Sequence, residues 1–147
     1  MMNGFHLDQQ LVFAILSGRV SSAIARRLYR EFRLINLSIT PEQWTVLMAL
    51  SRKDGITQQE LATITFKDKP SITRLINNLE KQFLVVRFAS KIDKRMNMIH
   101  ITKSGLLLYQ QANIAASKVM HDALNGLVDE DVKIGERILK QIFTNLS

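Results

Sequence analysis

The sequence predicts a mainly α-helical fold that contains one small β-hairpin. Two observations carry this prediction. Apolar residues recur at steps of three to four along most of the 147 residues, which is the spacing of amphipathic helices. Only residues 84–89 and 98–101 alternate as the two strands of a hairpin do, and a basic loop, KIDKR at 91–95, lies between them. The length suits one domain, or one compact unit plus helices that pair it with a second copy.

The composition is that of a folded globular chain, with 46% hydrophobic and 22% charged residues. The chain has no cysteine, which excludes disulfides, thiolate catalysis and zinc–thiolate sites within it. The longest apolar run near its start, LVFAILSG, is far shorter than the roughly 20 residues that a membrane span requires. We therefore expect a cytoplasmic protein that does not enter a membrane.

None of the sequence motifs that indicate an enzyme is present. The sequence has no glycine-rich phosphate loop, no nucleophile elbow and no HExxH motif. His6, His100 and His121 are too scattered along the chain to suggest a metal site. We therefore expect no catalysis, no cofactor and no bound metal.

The net charge of +7 is concentrated in one part of the chain. Residues 67–103 contain nine Lys or Arg and three Asp or Glu, whereas residues 104–147 have a small negative balance. A basic block of this kind is typical of a surface that binds phosphates. A solvated basic surface without a partner is the alternative.

Two helices are predicted in the first third of the chain. Apolar residues recur at helical spacing over about 8–33. This helix would be roughly 39 Å long, which suggests that it packs against something beyond its own domain. Thr40, Pro41 and Gln43 then have the order of an N-cap, a first-turn proline and a capping-box residue. The buried face predicted for the second helix consists of Trp44, Leu47 and Met48.

Two short helices separated by a tight turn come next. Thr57 and Glu60 form a second capping box, and the helix that they begin ends by about Thr65. Asp68 can cap a third helix that has Pro70 in its first turn. The inward stripe of this third helix is Ile72, Leu75, Ile76 and Leu79.

The outward face of the third helix carries small hydrogen-bonding side chains and cations, with no acid before Glu80. In a major groove, arginine suits guanine and asparagine suits adenine. This face therefore predicts binding to double-stranded DNA; an ordinary polar surface is the alternative. The predicted base contacts are Ser71, Thr73, Arg74 and Asn77, and the predicted phosphate contacts are Lys69 and Lys81. The complete candidate face is Lys69, Pro70, Ser71, Thr73, Arg74, Asn77, Asn78 and Lys81.

A hairpin with a basic tip follows this helix directly. Two short helices followed by such a hairpin are the layout of a winged helix-turn-helix. A thin cationic tip suits the narrow, electronegative minor groove while the preceding helix lies in the major groove. Asp93 is the best turn-forming residue of the tip. The candidate wing residues are Lys91, Asp93, Lys94 and Arg95.

The segment from Thr40 to Gly105 resembles the multiple antibiotic resistance regulator (MarR) family. The motifs that carry the resemblance are ITQQELA, KPSITRLINNLEKQ, LVVR and, most specifically, DKRMNMIHITKSG. One departure is Phe83, where members of that family usually have a glycine that closes the recognition helix.

The resemblance implies a homodimer whose terminal helices interlock. It also implies that Arg95 enters the minor groove while Asp93 orients its guanidinium through charge-assisted hydrogen bonds. A crevice between the dimer helices and the winged domain would bind a small aromatic or anionic effector. Trp44 and Met48 could line this crevice, although as core residues of the second helix they need no ligand to explain them.

The two ends of the chain favour pairing independently of the resemblance. Thr102 begins a helix with an apolar stripe, and Asp129 can cap a last helix with another. A twofold dimer can bury these stripes together with that of the first helix, whereas one small winged domain cannot. A monomeric helical bundle is the alternative. The expected division is an N-terminal dimerisation helix at 1–36, a winged domain at 37–102 and C-terminal dimerisation helices at 103–147.

The fold class is thus mainly α with a small β-hairpin wing, a winged helix-turn-helix domain flanked by N- and C-terminal dimerisation helices. The functional hypothesis is a sequence-specific DNA-binding transcription regulator, a ligand-responsive repressor that binds a palindromic operator as a homodimer. The rival hypothesis is a winged-helix interaction module that binds an acidic protein partner without DNA.

Overall fold

A computed structural model describes the backbone of residues 4–147 and the side chains of residues 9–147. Residues 1–3 of the predicted first segment and the side chain of His6 lie outside this description. The protein is mainly α-helical with a small sheet, as the sequence predicts. Its elements are α1 (Gly4–Leu34), α2 (Pro41–Arg52), β1 (Ile56–Thr57), α3 (Gln58–Ile64), α4 (Lys69–Lys81), β2 (Val85–Ala89), β3 (Asn97–Ile101), α5 (Lys103–Ala123) and α6 (Asp129–Leu146).

The capping box predicted at the start of α2 is confirmed. Thr40 Oγ1 accepts the backbone N–H of Gln43 at 3.1 Å, and Gln43 Oε1 accepts the backbone N–H of Thr40 at 2.9 Å. These bonds satisfy two of the N–H groups that the first turn of a helix leaves without a partner.

The buried face of α2 differs from the prediction. Leu47 is buried, but Trp44 and Met48 are only half-buried at the edges of that face. The segment WTVLMAL has apolar residues on every side of the helix, so their spacing alone did not locate the inward direction. The buried residues of α2 are Gln43, Val46, Leu47, Ala49 and Leu50.

The helix-turn-helix consists of α3 and α4. Thr57 Oγ1 accepts the N–H of Glu60 at 3.1 Å, and a Glu60 carboxylate oxygen accepts the N–H of Thr57 at 2.7 Å, which confirms the second capping box. In the turn, Phe66 takes a left-handed conformation with φ of 53°. The apolar stripe predicted for α4 is fully buried: Ile72, Leu75, Ile76 and Leu79.

The predicted hairpin is present, but the sheet contains a third strand that the sequence did not indicate. β2 and β3 pair antiparallel, and β1 pairs with the other edge of β3, with Ile56 opposite Ile99. Two residues are too few to show an alternation pattern, which explains why β1 was missed. The extra strand attaches the base of the hairpin to the start of α3.

The junction between β3 and α5 holds the end of α4 in place. Thr102 Oγ1 accepts the N–H of Gly105 at 3.0 Å and donates to the carbonyl of Phe83 at 2.7 Å. Phe83 has φ of 59°, a conformation that glycine adopts without strain. The departure from glycine noted in the sequence therefore leaves the left-handed end of the recognition helix unchanged, at a cost in backbone strain.

One core joins the second half of α1 to α2, α3, α4, the sheet and α5. Phe32, Leu47 and Ile76 are among its fully buried side chains. From residue 9 to Val20, α1 lies outside this core: Leu16 and Val20, for example, are each more than half exposed. No residue of α6 is buried. The structure therefore leaves two long apolar faces open in the single chain.

The start of α6 corrects one prediction. Asp129 is the first residue of the helix and not its N-cap. The carboxylate of Asp131 accepts the N–H of Val128 at 3.4 Å instead. Along the part of the chain that the structure describes, no helix is both long enough and apolar enough to cross a membrane.

Candidate nucleic-acid interface

The outward face of α4 forms one continuous surface, which we call the reading face. Seven of the eight residues predicted for it line the same shallow depression: Lys69, Pro70, Thr73, Arg74, Asn77, Asn78 and Lys81. The eighth, Ser71, is half-buried and lies outside that depression. Arg74, Asn77 and Asn78 are exposed. The face presents donors and cations without an acid, which suits the acceptor-rich floor and phosphate walls of a major groove.

The start of α4 is fixed by Asp68, as predicted. A carboxylate oxygen of Asp68 accepts the backbone N–H of Ser71 at 2.7 Å. This hydrogen bond is the main reason that the pKa of Asp68 lies below its ordinary value, and Arg74 and Lys67 add smaller Coulombic contributions. The cap is therefore ionised at neutral pH, and the first turn of the reading face is held in one conformation.

Thr73 is less available to a base than the sequence suggested. Its hydroxyl donates to the carbonyl of Lys69 at 2.8 Å and accepts a hydrogen bond from the side-chain amide of Gln58. The hydroxyl is thus already used within the protein. The bond between Gln58 and Thr73 joins α3 to α4, so Gln58 helps to fix the angle between the two helices.

Arg87 joins the reading face to the wing, and sequence reasoning did not single it out as a site residue. One guanidinium nitrogen donates to a carboxylate oxygen of Glu80 at 2.7 Å, and another donates to Asn77 Oδ1 at 2.5 Å. Arg87 lies two residues after the buried Val85 in β2, on the same face of the strand, and it is paired with the buried Ile99 of β3. An arginine at an inward position of a strand was the available signal, because such a cation needs partners.

The hairpin tip between β2 and β3 exposes all four predicted wing residues: Lys91, Asp93, Lys94 and Arg95. Ser90 Oγ accepts the N–H groups of Ile92 and Asp93, at 3.2 and 3.4 Å. Within residues 9–147, no ion pair uses the three cations of the tip. They are therefore available to phosphates or to a groove.

The contact between Asp93 and Arg95 differs from the one that the resemblance implied. Asp93 Oδ1 accepts the backbone N–H of Arg95 at 2.9 Å, and it does not hold the guanidinium. An aspartate that binds its own backbone two residues on is an Asx turn, a local bond that costs little chain entropy. Asp93 thus shapes the tip and leaves the Arg95 side chain free.

The predicted effector residues do not line the apolar cleft of the structure. A cleft of about 570 Å³ lies between α1 and α6, and neither Trp44 nor Met48 belongs to its lining. Leu16, Val20 and Leu139 are among the side chains that form it. Trp44 instead packs against Phe32 at 6.2 Å between ring centroids, and its buried indole N–H has no hydrogen-bond partner.

The structure describes the side chains of two histidines, His100 and His121. His100 Nδ1 lies 3.2 Å from a carboxylate oxygen of Asp54, which also accepts the N–H of Ile101 at 2.7 Å through its other oxygen. His121 is exposed near the end of α5. Across the described residues, no group of three or more His, Asp or Glu side chains could hold a metal ion.

Comparisons with known proteins find regulators of transcription that resemble this chain. A family model described as the MarR family matches residues 37–96. The chain is 25% identical over 140 residues to a putative transcriptional regulatory protein for the hcr operon of Thauera aromatica, and the match covers 91% of this chain and 84% of that protein.

Two solved structures extend these comparisons. The crystal structure of the transcriptional regulator PA3341 is 32% identical, with a TM-score of 0.73 over 91% of this chain and 97% of that chain. A mutant MarR from E. coli, complexed with operator DNA, is 22% identical, with a TM-score of 0.78 over 92% of this chain and 96% of that chain. The likeness to the E. coli MarR mutant shows that the two chains share a fold.

Proposed function

The chain belongs to the MarR family of DNA-binding transcriptional regulators, and from this premise we propose that it is a cytoplasmic, homodimeric repressor that binds a palindromic operator and responds to a small effector. The observation that carries the proposal is the reading face of α4, which is continuous, exposed and free of acids, beside a wing whose cations have no partner in residues 9–147. A dimer that occupies DNA can block transcription without any further surface.

The residues that would read bases differ chemically from those that would bind phosphates. Arg74 would read a base edge through its planar fork of donors, most readily guanine O6 and N7. Lys69 and Lys81 lie at the two ends of α4 and would bind phosphates as point charges, as would Lys91 and Lys94 of the wing. The remaining proposed contacts are Pro70, Ser71, Asn77 and Asn78 on the reading face and Arg95 in the minor groove.

The open apolar faces of α1 and α6 support the homodimer. Leu16 and Leu139 are 53% and 54% exposed in the single chain, and Leu146 is 83% exposed. Contiguous apolar faces of this kind are uncommon on monomers and favour association. A twofold axis through these helices would present two reading faces to half-sites about one turn of DNA apart.

Two features support a small effector. The cleft between α1 and α6 is lined mainly by apolar atoms, as sites for aromatic molecules are. Trp44 does not line this cleft, but its indole N–H is buried without an acceptor, which an anionic group bound beside it would supply. Because Leu16 and Leu139 line this cleft and also belong to the faces that the dimer would cover, a bound effector would lie between the two halves of the dimer and alter their spacing.

The test compares Arg74→Ala with Lys94→Ala on a preferred duplex and on random duplex over a range of salt concentrations. Arg74→Ala is expected to weaken the preferred duplex by roughly 1–3 kcal/mol and to relax base preference at one position. Lys94→Ala is expected to weaken both duplexes alike and to reduce the salt slope by about one.

Equal losses on both duplexes for Arg74→Ala would mean that its role is misassigned. A wild-type protein that binds neither duplex, or binds with no dependence on salt, would contradict the proposal and favour an interaction module for an acidic protein. Lys133→Ala, on the exposed surface of α6, is the matched control for the loss of one cation.

A further inference from the structure

We infer that Arg87 is a positioning residue, which sets the direction in which Asn77 can hydrogen-bond to a base. This inference rests on the proposed function, because it concerns how the reading face reads DNA. It adds a residue from the wing strand to the determinants of specificity, although that residue need not touch DNA itself.

The chemistry of the contact decides the orientation of the amide. A guanidinium has five N–H donors and no acceptor, so the Asn77 atom that faces Arg87 must be the oxygen. The amide NH₂ of Asn77 then lies on the other side, next to the open surface that Asn77 shares with Arg74. An isolated asparagine could turn its amide over; this one would lose a charge-assisted hydrogen bond by doing so.

Glu80 keeps Arg87 in this position. Glu80 lies one turn after Asn77 on α4, so the planar fork of Arg87 spans both side chains at once. The Arg87 side chain is 22% exposed, which makes the pair less screened than an ion pair at the open surface. Glu80 also neutralises Arg87, so Arg87 is a poor candidate for a phosphate contact, unlike Lys94 in the wing.

The orientation of its amide predicts which bases Asn77 can bind. An Asn77 that presents NH₂ needs an acceptor on the base edge, which guanine offers through O6 and N7, adenine through N7 and thymine through O4. Cytosine presents its amino group in the major groove and would be rejected. Because β2 carries Arg87, a displacement of the wing would also release Asn77, which links the two parts of the interface.

The experiment is a double-mutant cycle with Arg87→Lys and Asn77→Ala. It measures how strongly each protein discriminates between base pairs at one position of the duplex. The base pair that Asn77 reads is first found as the position where Asn77→Ala loses discrimination. Arg87→Lys keeps the charge but not the fork, and at that position it is expected to reduce discrimination by about 5- to 10-fold without changing the salt slope. In the Asn77→Ala background, Arg87→Lys is expected to change nothing further.

Asn78→Ala is the matched control, because Asn78 lies on the same face and does not bond to Arg87. The losses from Asn78→Ala and Arg87→Lys should therefore multiply. If Arg87→Lys fails to fold in thermal melts, Glu80→Gln releases the guanidinium with little change of shape and should give the same loss of discrimination.

Two outcomes would overturn the inference: a loss from Arg87→Lys that persists in the Asn77→Ala background, or one that is equal for all base pairs. Failure of the proposed function is distinguishable from both, because the wild-type protein would then prefer no duplex at all. If the wild-type protein prefers one duplex but the losses from Arg87→Lys and Asn77→Ala multiply, the role of Arg87 is contradicted and the proposed function stands.

Discussion

Replacement of Gly105 by alanine is expected to destabilise the protein by about 3 kcal/mol, at the upper end of what overpacking costs. A Cβ at this position would lie 2.1 Å from the carbonyl oxygen of Leu84 and 2.9 Å from Ile101 Cγ1. The Leu84 carbonyl cannot simply move away, because it accepts the N–H of Thr102 at 3.0 Å. The substitution would therefore separate α5 from the junction of α4 and β2.

Urea unfolding followed by circular dichroism measures this effect, with Gly18→Ala as the matched control. Gly18 lies within α1, and a Cβ there would meet nothing within 4 Å. Its replacement is expected to leave the protein unchanged or to stabilise it by up to about 1 kcal/mol, since alanine is the better helix former. A Gly105→Ala protein within about 0.5 kcal/mol of wild type would show that the approach of α5 to Leu84 is looser than the structure indicates.

The substitution Leu139→Glu is expected to convert the protein to a monomer and to weaken operator binding by at least about 100-fold. In an isolated chain, a glutamate at this half-exposed position would cost little. In a dimer that covers the face of α6, the carboxylate would lose its water without gaining a partner. Loss of the second half-site then removes the benefit of two reading faces on one DNA.

Gln141→Glu introduces the same charge into the same helix at an exposed position, next to Asn145, and serves as the control. It should remain dimeric. Sedimentation of dilute samples of both variants and of the wild type measures the change. A wild-type protein that is monomeric at micromolar concentration, or a Leu139→Glu protein that stays dimeric, would contradict a dimer built on α6.

The features that the sequence predicted well are those set by local chemistry. Four helix starts, at Thr40, Thr57, Asp68 and Thr102, were located because each N-cap side chain is followed at a fixed spacing by the N–H that it binds. The buried stripe of α4 followed from its period. Both kinds of signal lie within one or two turns of chain, where tertiary structure has little influence.

The features that the sequence did not predict depend on contacts between distant residues. Arg87 and Asn77 are ten positions apart, and Gln58 and Thr73 are fifteen apart. No local spacing specifies such pairs, which form only once α3, α4 and β2 have packed. Met48 illustrates the same limit for packing, because the apolar run WTVLMAL left the inward direction of α2 to the rest of the fold.

The proposed reading face of α4 and the wing tip bind one DNA duplex together, twice in each dimer. Selection of bound duplexes from a random pool tests it most directly. The expected result is an inverted repeat whose half-sites lie about 10 base pairs apart, each with a specified core and a flank of A·T pairs where Arg95 enters a narrow minor groove. A bound pool with no enriched sequence, or with a single unrepeated site, would contradict the claim.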